Sequence, residues 1–214
     1  MCESVETALP DVRVPKPDKP EGFSRSWQEL FPRPAPIVCD LGAGNGRFAA
    51  AYAELHPEWN VLAVERKWSR VRKIERAAEI RRLPNLRTLW FPWDDLLLFW
   101  SRASSCREIH VLFPDPWPKR RHRIRRTLTA RVLAALYRAL EPGGCFRLLT
   151  DDSDYYGAVE RMVAALPGFD RTEHPVEFPW SHFETIFRSK GDPLYGAIWQ
   201  KGNRETKEKR RGSP

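Results

Sequence analysis

A short apolar run that empties straight into three alternating glycines, "PIVCDLGAGNGRF", leaves this chain few architectures. The run 36–42 is too short for a buried helix and has no polar alternation, so it reads as a strand covered on both faces. Gly42, Gly44 and Gly46 then permit a sharp turn and a close approach by a ligand. "RFAAAYAELH" (47–56) opens a helix directly afterwards. A strand that ends this way returns to its sheet by a crossover, which makes the next strand parallel to it.

The unit repeats along the chain. "NVLAVE" (60–65) is a second strand, followed by a basic helix over 67–82. "LRTLWF" (86–91) is a third, with a short helix near "DDLLLFW", and "EIHVLF" (108–113) is a fourth. "TLTARVLAALYRAL" (127–140) is an apolar-striped helix stopped by "EPGG". "CFRLLT" (145–150) is a fifth strand and "DYYGAVERMVAAL" (154–166) another helix. "FDRTEHPVEF" and "LYGAIWQK" are extended runs joined by a mixed segment, which predicts an antiparallel edge pair. The expected class is α/β: a doubly wound, mostly parallel seven-stranded Rossmann-like sheet. It occupies 36–201, after a Pro-rich irregular arm (1–35) and before a basic, mobile tail (202–214).

The formal charge of +8 favours polyanionic partners. No apolar run approaches membrane-spanning length, and the first residues lack an apolar signal core, so we expect a cytoplasmic protein without a membrane partner. Cys2, Cys39, Cys106 and Cys145 form no CxxC pair and no cluster with histidine, so reduced thiols and no metal site are expected.

The glycine turn alone fits several cofactors. Glu65 ends the second strand, where an acid accepts both hydroxyls of a ribose. Asp40, two residues before the first glycine, would repel a pyrophosphate but suits a sulfonium or an ammonium. The glycine spacing is also GxGxG and not GxGxxG. S-adenosylmethionine is therefore favoured over a dinucleotide. A further acid is expected after the third strand, near the adenine, where "WFPWDDLL" offers Asp94 and Asp95; helix N-capping is an ordinary role for Asp94.

Ligands of open α/β sheets bind where the strand order reverses, here between the first and fourth strands. "FPDPWPKRRHRIRR" (113–126) leaves the fourth strand at that point. Phe113 and Asp115 both precede proline and are expected to be extended, which stiffens the segment. An aspartate beside a methyl donor can accept from the N1–H and N2–H edge of guanine. Trp117 offers a stacking face, and the cationic run from Lys119 to Arg126 suits a phosphate backbone.

The same residues carry a resemblance. "FPDPWPKRRHRIRR" is similar to the signature of the bacterial tRNA (guanine-N7-)-methyltransferase family, with Ile124 where a basic residue is usual. "DLGAGNG" resembles the family's first cofactor motif, with Asp40 where Glu is common, and "AVERKW" its second. "LLTDDSDYY" resembles the Thr-Asp segment after the fifth strand, and "SHFETIF" the Thr-x-Phe-Glu motif, with Ser181 for Thr and Ile186 for a usual cation.

The resemblance implies a class I methyltransferase fold and methylation of guanine N7 in the variable loop of tRNA. By it, Asp40, Gly42, Gly44, Glu65 and Asp94 contact S-adenosylmethionine. Asp115 sits at the active centre as catalytic residue and beside the cofactor. Lys119, Arg121, His122, Arg123, Arg125, Arg126, Asp151, Ser181, His182, Phe183 and Glu184 meet the substrate. Thr150 belongs to the same substrate segment as Asp151.

Competing readings are a methyltransferase acting on another RNA or on protein, and a non-catalytic RNA-binding protein on the same fold. An NAD-dependent oxidoreductase is a third, and it leaves the FPDPW stretch unexplained.

Overall fold

The computed structural model describes residues 27–173 and 178–202. Its seven strands are β1 (Ile37–Leu41), β2 (Asn60–Glu65), β3 (Leu86–Trp90), β4 (Cys106–Leu112), β5 (Leu140–Thr150), β6 (Phe169–Thr172) and β7 (Tyr195–Lys201). They form one sheet in the order β3-β2-β1-β4-β5-β7-β6. Neighbours from β3 to β5 are parallel, and β7 runs antiparallel to both β5 and β6. The order reverses between β1 and β4, where Val38, Cys39 and Asp40 pair with Glu108, Ile109 and His110.

Every residue of β1 and β2 is buried, because helices cover both faces. On one face Cys39, Leu62, Ile109, Phe146 and Leu148 pack under α4 (Ala130–Ala139) and α5 (Ser153–Ala164). On the other, Val38, Val61 and Ala63 pack under α1 (Arg47–Leu55) and α2 (Trp68–Arg81). Alternate residues of each strand thus serve opposite layers. Cys39 and Cys106 are free thiols with sulfurs 3.4 Å apart, and burial raises the Cys39 pKa first, its neighbour second.

Several local expectations give way. The expected arm contributes to the core: Trp27 and Phe31 are buried in it, with Trp27–Leu30 forming a 3-10 turn. Residues 1–26 of that arm, the tail from 203 onward and 174–177 of the sixth run lie outside the described residues. β5 starts at Leu140, five residues before the predicted 145, because "EPGG" is a bulge in the strand as well as a helix stop. A side chain at Gly144 would stand 2.8 Å from the Arg107 carbonyl oxygen, so only glycine lets the bulge close. The mixed segment holds α6 (His182–Lys190), capped by Ser181 and ended by Gly191 at φ 73°. The short helix α3 (Trp93–Asp95) runs on as a π turn through Trp100. No described helix is long and apolar enough to cross a membrane.

Candidate active site

The carboxyl ends of β1, β2 and β4 open into a cavity of about 810 Å³. Asp40, Gly42, Gly44, Glu65, Asp94, Asp95, Asp115, Trp117 and Arg125 line it. So do Ser181, His182 and Phe183 at the start of α6.

The two strand-end acids are held differently. Glu65 is buried and accepts Gly44 N–H at 2.9 Å and Lys67 N–H at 2.8 Å, one on each oxygen. These bonds fix the turn and the carboxylate together, and each oxygen keeps a lone pair for a hydroxyl. Asp40 is 2% exposed, and its Oδ2 has no hydrogen-bond partner in the protein. Burial, then the charge of Glu65, raises its pKa to about 7, and Arg147 opposes the rise. A buried, unpartnered carboxylate oxygen in a cavity wall is costly without a cationic or hydrogen-bond-donating ligand. The ammonium of S-adenosylmethionine is such a ligand, and the diol of its ribose suits Glu65.

Asp94 and Asp95 both line the cavity. Neither is an N-cap: Pro92 holds that position, and both acids lie in the first turn of α3. Burial, then Asp94, raises the pKa of Asp95.

The proline-rich loop departs from expectation. Phe113 is not extended but left-handed, at φ 52°, and Trp117, also before a proline, is at φ 44°. Such values are rare outside glycine, and the surroundings impose them. Phe113 N–H donates to the Leu149 carbonyl at 2.7 Å, and its ring stacks on Phe187 at 5.3 Å. Trp117 is flanked by His122 at 6.0 Å and by the Arg125 guanidinium at 5.1 Å. Asp115, between them, points into solvent at the cavity mouth.

The cationic run divides. Lys119, Arg121, Arg123 and Arg125 are exposed, His122 is half-buried, and Ile124 is 90% exposed. Arg126 is buried, which corrects its assignment to the RNA face. Its Nε donates to the Pro116 carbonyl at 2.7 Å, its Nη2 bonds Asp154 at 2.7 Å, and its guanidinium covers Tyr155. This arginine clamps the loop. Arg123 also pairs with Asp154, at 3.1 Å.

Of the remaining candidates, Asp151 follows β5 and does not line the cavity; its neighbour Asp152 caps α5 by accepting Tyr155 N–H at 2.6 Å. Thr150 is buried and its hydroxyl oxygen accepts Asp152 N–H. Ser181 caps α6 by accepting Glu184 N–H at 3.1 Å. Glu184 is turned inward, away from the cavity: it is buried, bonded to Arg188 at 2.9 and 3.0 Å, and 3.8 Å from Arg147. Its expected contact with substrate is corrected to a counter-ion role. Two residues outside the sequence reading matter. Arg66 reaches Asp115, and Arg147, a cation inside an apolar strand, is the positive charge acting on both Asp40 and Glu184. The first was signalled only by its place beside Glu65, the second by its charge within "CFRLLT".

A doubly wound sheet with this strand order, a glycine turn after β1 and acids ending β1 and β2 defines a class I methyltransferase. Solved structures share that fold. The 16S rRNA methyltransferase KamB superposes with a TM-score of 0.58 at 18% identity, over 82% of this chain and 92% of that one. A SAM-dependent methyltransferase from Aquifex aeolicus gives 0.55 at 13%, over 81% and 86%. The model of a family described as "Putative methyltransferase" matches residues 34–205. The tRNA (guanine-N(7)-)-methyltransferase of Chlamydia felis is 36% identical over 177 residues, 79% of this chain and 78% of that protein. The protein of the same name from Alkalilimnicola ehrlichii is 29% identical over 204 residues, 92% and 85%. The chain belongs to the tRNA (guanine-N(7)-)-methyltransferase family, whose methyl donor is S-adenosylmethionine.

Proposed function

We propose that this protein transfers the methyl group of S-adenosylmethionine to N7 of a variable-loop guanosine in tRNA. The observation that carries the reading is the placement of Asp115 in the same cavity as Asp40 and Glu65, on a loop locked by Arg126.

The bound cofactor supplies a methyl group on a positively charged sulfur. Guanine N7 has an in-plane lone pair and no proton, so no residue has to remove one. Asp115 orients the purine by accepting N1–H and N2–H, and its charge stabilises the positive charge the ring gains. Asp40 takes the ammonium, Glu65 the ribose hydroxyls and Asp94 the adenine side, with the backbone of Gly42 and Gly44 alongside. Lys119, Arg121, His122, Arg123 and Arg125 meet phosphates. Ser181, His182 and Phe183 form the wall beside the base, Asp151 meets the substrate from the end of β5, and Glu184 holds α6. Alignment of donor and acceptor supplies most of the acceleration. A loop guanosine is the accessible target, because N7 lies in the deep, narrow groove of duplex RNA.

The test is incubation with labelled cofactor and unmodified tRNA, followed by nucleoside analysis. Labelled 7-methylguanosine is expected. A different methylated nucleoside, or label on protein, would overturn the assignment.

A further inference from the structure

Two tryptophans stand outside the cavity, near the carboxyl ends of β2 and β3. Trp68 opens α2 and Trp90 ends the edge strand β3; they are 49% and 47% exposed, and neither lines the cavity. Their ring centroids are 4.9 Å apart at 45°. Trp90 is held in place, since its indole N–H donates to the Arg66 carbonyl at 3.0 Å. The Arg72 guanidinium lies 5.8 Å from the Trp68 ring. Paired, half-exposed indoles on a fixed backbone mark an interaction surface more than they mark core packing.

The charge around them selects the partner. Arg66, Lys67, Arg70, Arg72, Lys73 and Arg76 flank Trp68 in sequence, with Glu75 the one acid between Arg66 and Arg76, and Arg70 and Arg72 also pair with Glu65 and Glu75. Aromatic faces among cations are what a single-stranded nucleic acid needs: rings for bases, cations for phosphates. Position agrees. The run Lys119–Arg125 follows β4, whereas Trp68 opens the helix after β2 and Trp90 ends β3. β3 and β4 are three strand spacings apart, about 14 Å, with the cavity between them. An RNA whose target base enters the cavity therefore meets cations on both rims.

We infer that Trp68 and Trp90 form a platform on which an unpaired base of the RNA substrate stacks, on the rim opposite the FPDPW loop. The inference rests on RNA being the substrate. Arg66 joins the platform to the active centre: its carbonyl fixes Trp90 while its guanidinium lies 3.6 Å from Asp115.

The test compares wild-type protein, Trp68→Ala/Trp90→Ala and Trp68→Phe/Trp90→Phe for tRNA affinity at several salt concentrations. The alanine variant should bind tRNA about tenfold more weakly or worse. Its salt slope should be unchanged, because no phosphate contact is lost. The phenylalanine variant should recover most of the affinity. Cofactor affinity should match wild type, with the larger part of the activity loss in KM for tRNA and not in kcat. Trp68→Ala alone, at an exposed first helical turn, carries the comparison if the double variant fails to fold. Wild-type tRNA affinity in the alanine variants would overturn the inference. So would a change of sedimentation from dimer to monomer without loss of tRNA affinity, which would make the indoles a contact between copies. If RNA is not the substrate, the wild-type protein itself fails to bind tRNA, an outcome separate from any failure of the platform.

Discussion

The Arg66 guanidinium lies 3.6 Å from the Asp115 carboxylate, across the mouth of the cavity from β2 to the loop after β4. Both side chains are about two-thirds exposed, at 64% and 68%. An ion pair so open to water adds little to stability, typically about 0–1 kcal/mol. Arg66→Ala should therefore leave the melting temperature within about 3 °C of wild type. Asp115→Asn keeps the shape and removes the charge. It should lower kcat by roughly 100-fold or more while cofactor affinity, read by calorimetry, stays within a few-fold. A collapse of cofactor affinity would make Asp115 a cofactor ligand.

Asp40 gives opposite pH trends to folding and to binding. Its carboxyl is raised to about 7 in the folded chain from an ordinary value of 3.8. Between these values the folded state holds a proton that the unfolded state has released. The associated stability is complete below about pH 4 and is lost as pH rises through about 7. Binding of an ammonium requires the ionised form, so cofactor affinity should climb from pH 6 to 7 and then level. Denaturant unfolding and calorimetry across this range check both signs. Asp40→Asn should flatten both curves.

Adjacent arginines of the cationic run should behave differently. Arg125 is exposed beside Trp117, and Arg125→Ala should weaken tRNA binding and reduce the salt slope by about one. Arg126 is buried against Pro116, Asp152 and Asp154. Arg126→Ala should lower the melting temperature by about 5 °C or more and free the loop. Paired thermal melts and salt-dependent binding curves separate the two.

Gly46 is where the glycine turn meets α2. It has φ 76°, and an added Cβ would lie 2.5 Å from Ile74 Cγ1. Gly46→Ala should cost about 1–3 kcal/mol in denaturant unfolding, with loss of cofactor affinity as the turn shifts. Ile74→Ala in the same background relieves the clash and should restore part of the affinity.

Elements with a strong local period were legible. The predicted second strand, 60–65, coincides with β2, and the run that reads as 67–82 is α2. α6 was not read, although Ser181, Glu184 and Gly191 carried cap signals, because nine residues between proline-containing stretches give too little periodicity. Left-handed Phe113 contradicts the preference of a residue before proline, since its bond to Leu149 and its stacking on Phe187 outweigh a local bias. Arg126 was indistinguishable from its neighbours in a charge run. Its partners Asp152 and Asp154 lie more than 25 residues away, where only the tertiary fold brings them.

The pairing of β1 with β4 joins residues 70 apart, as Cys39 with Ile109, more than any other pair in the sheet, and through only three matched positions. The loop-closure entropy of the sheet is thus largest along the line where the cavity opens. A molecule engaging both rims bridges two half-sheets that meet late in sequence, so substrate and cofactor together act as a clasp across the seam of longest sequence separation. A chain still emerging from synthesis, complete only through β3, already carries Asp40, Glu65 and both indoles but no Asp115. Its ability to methylate arrives with the closure of that seam.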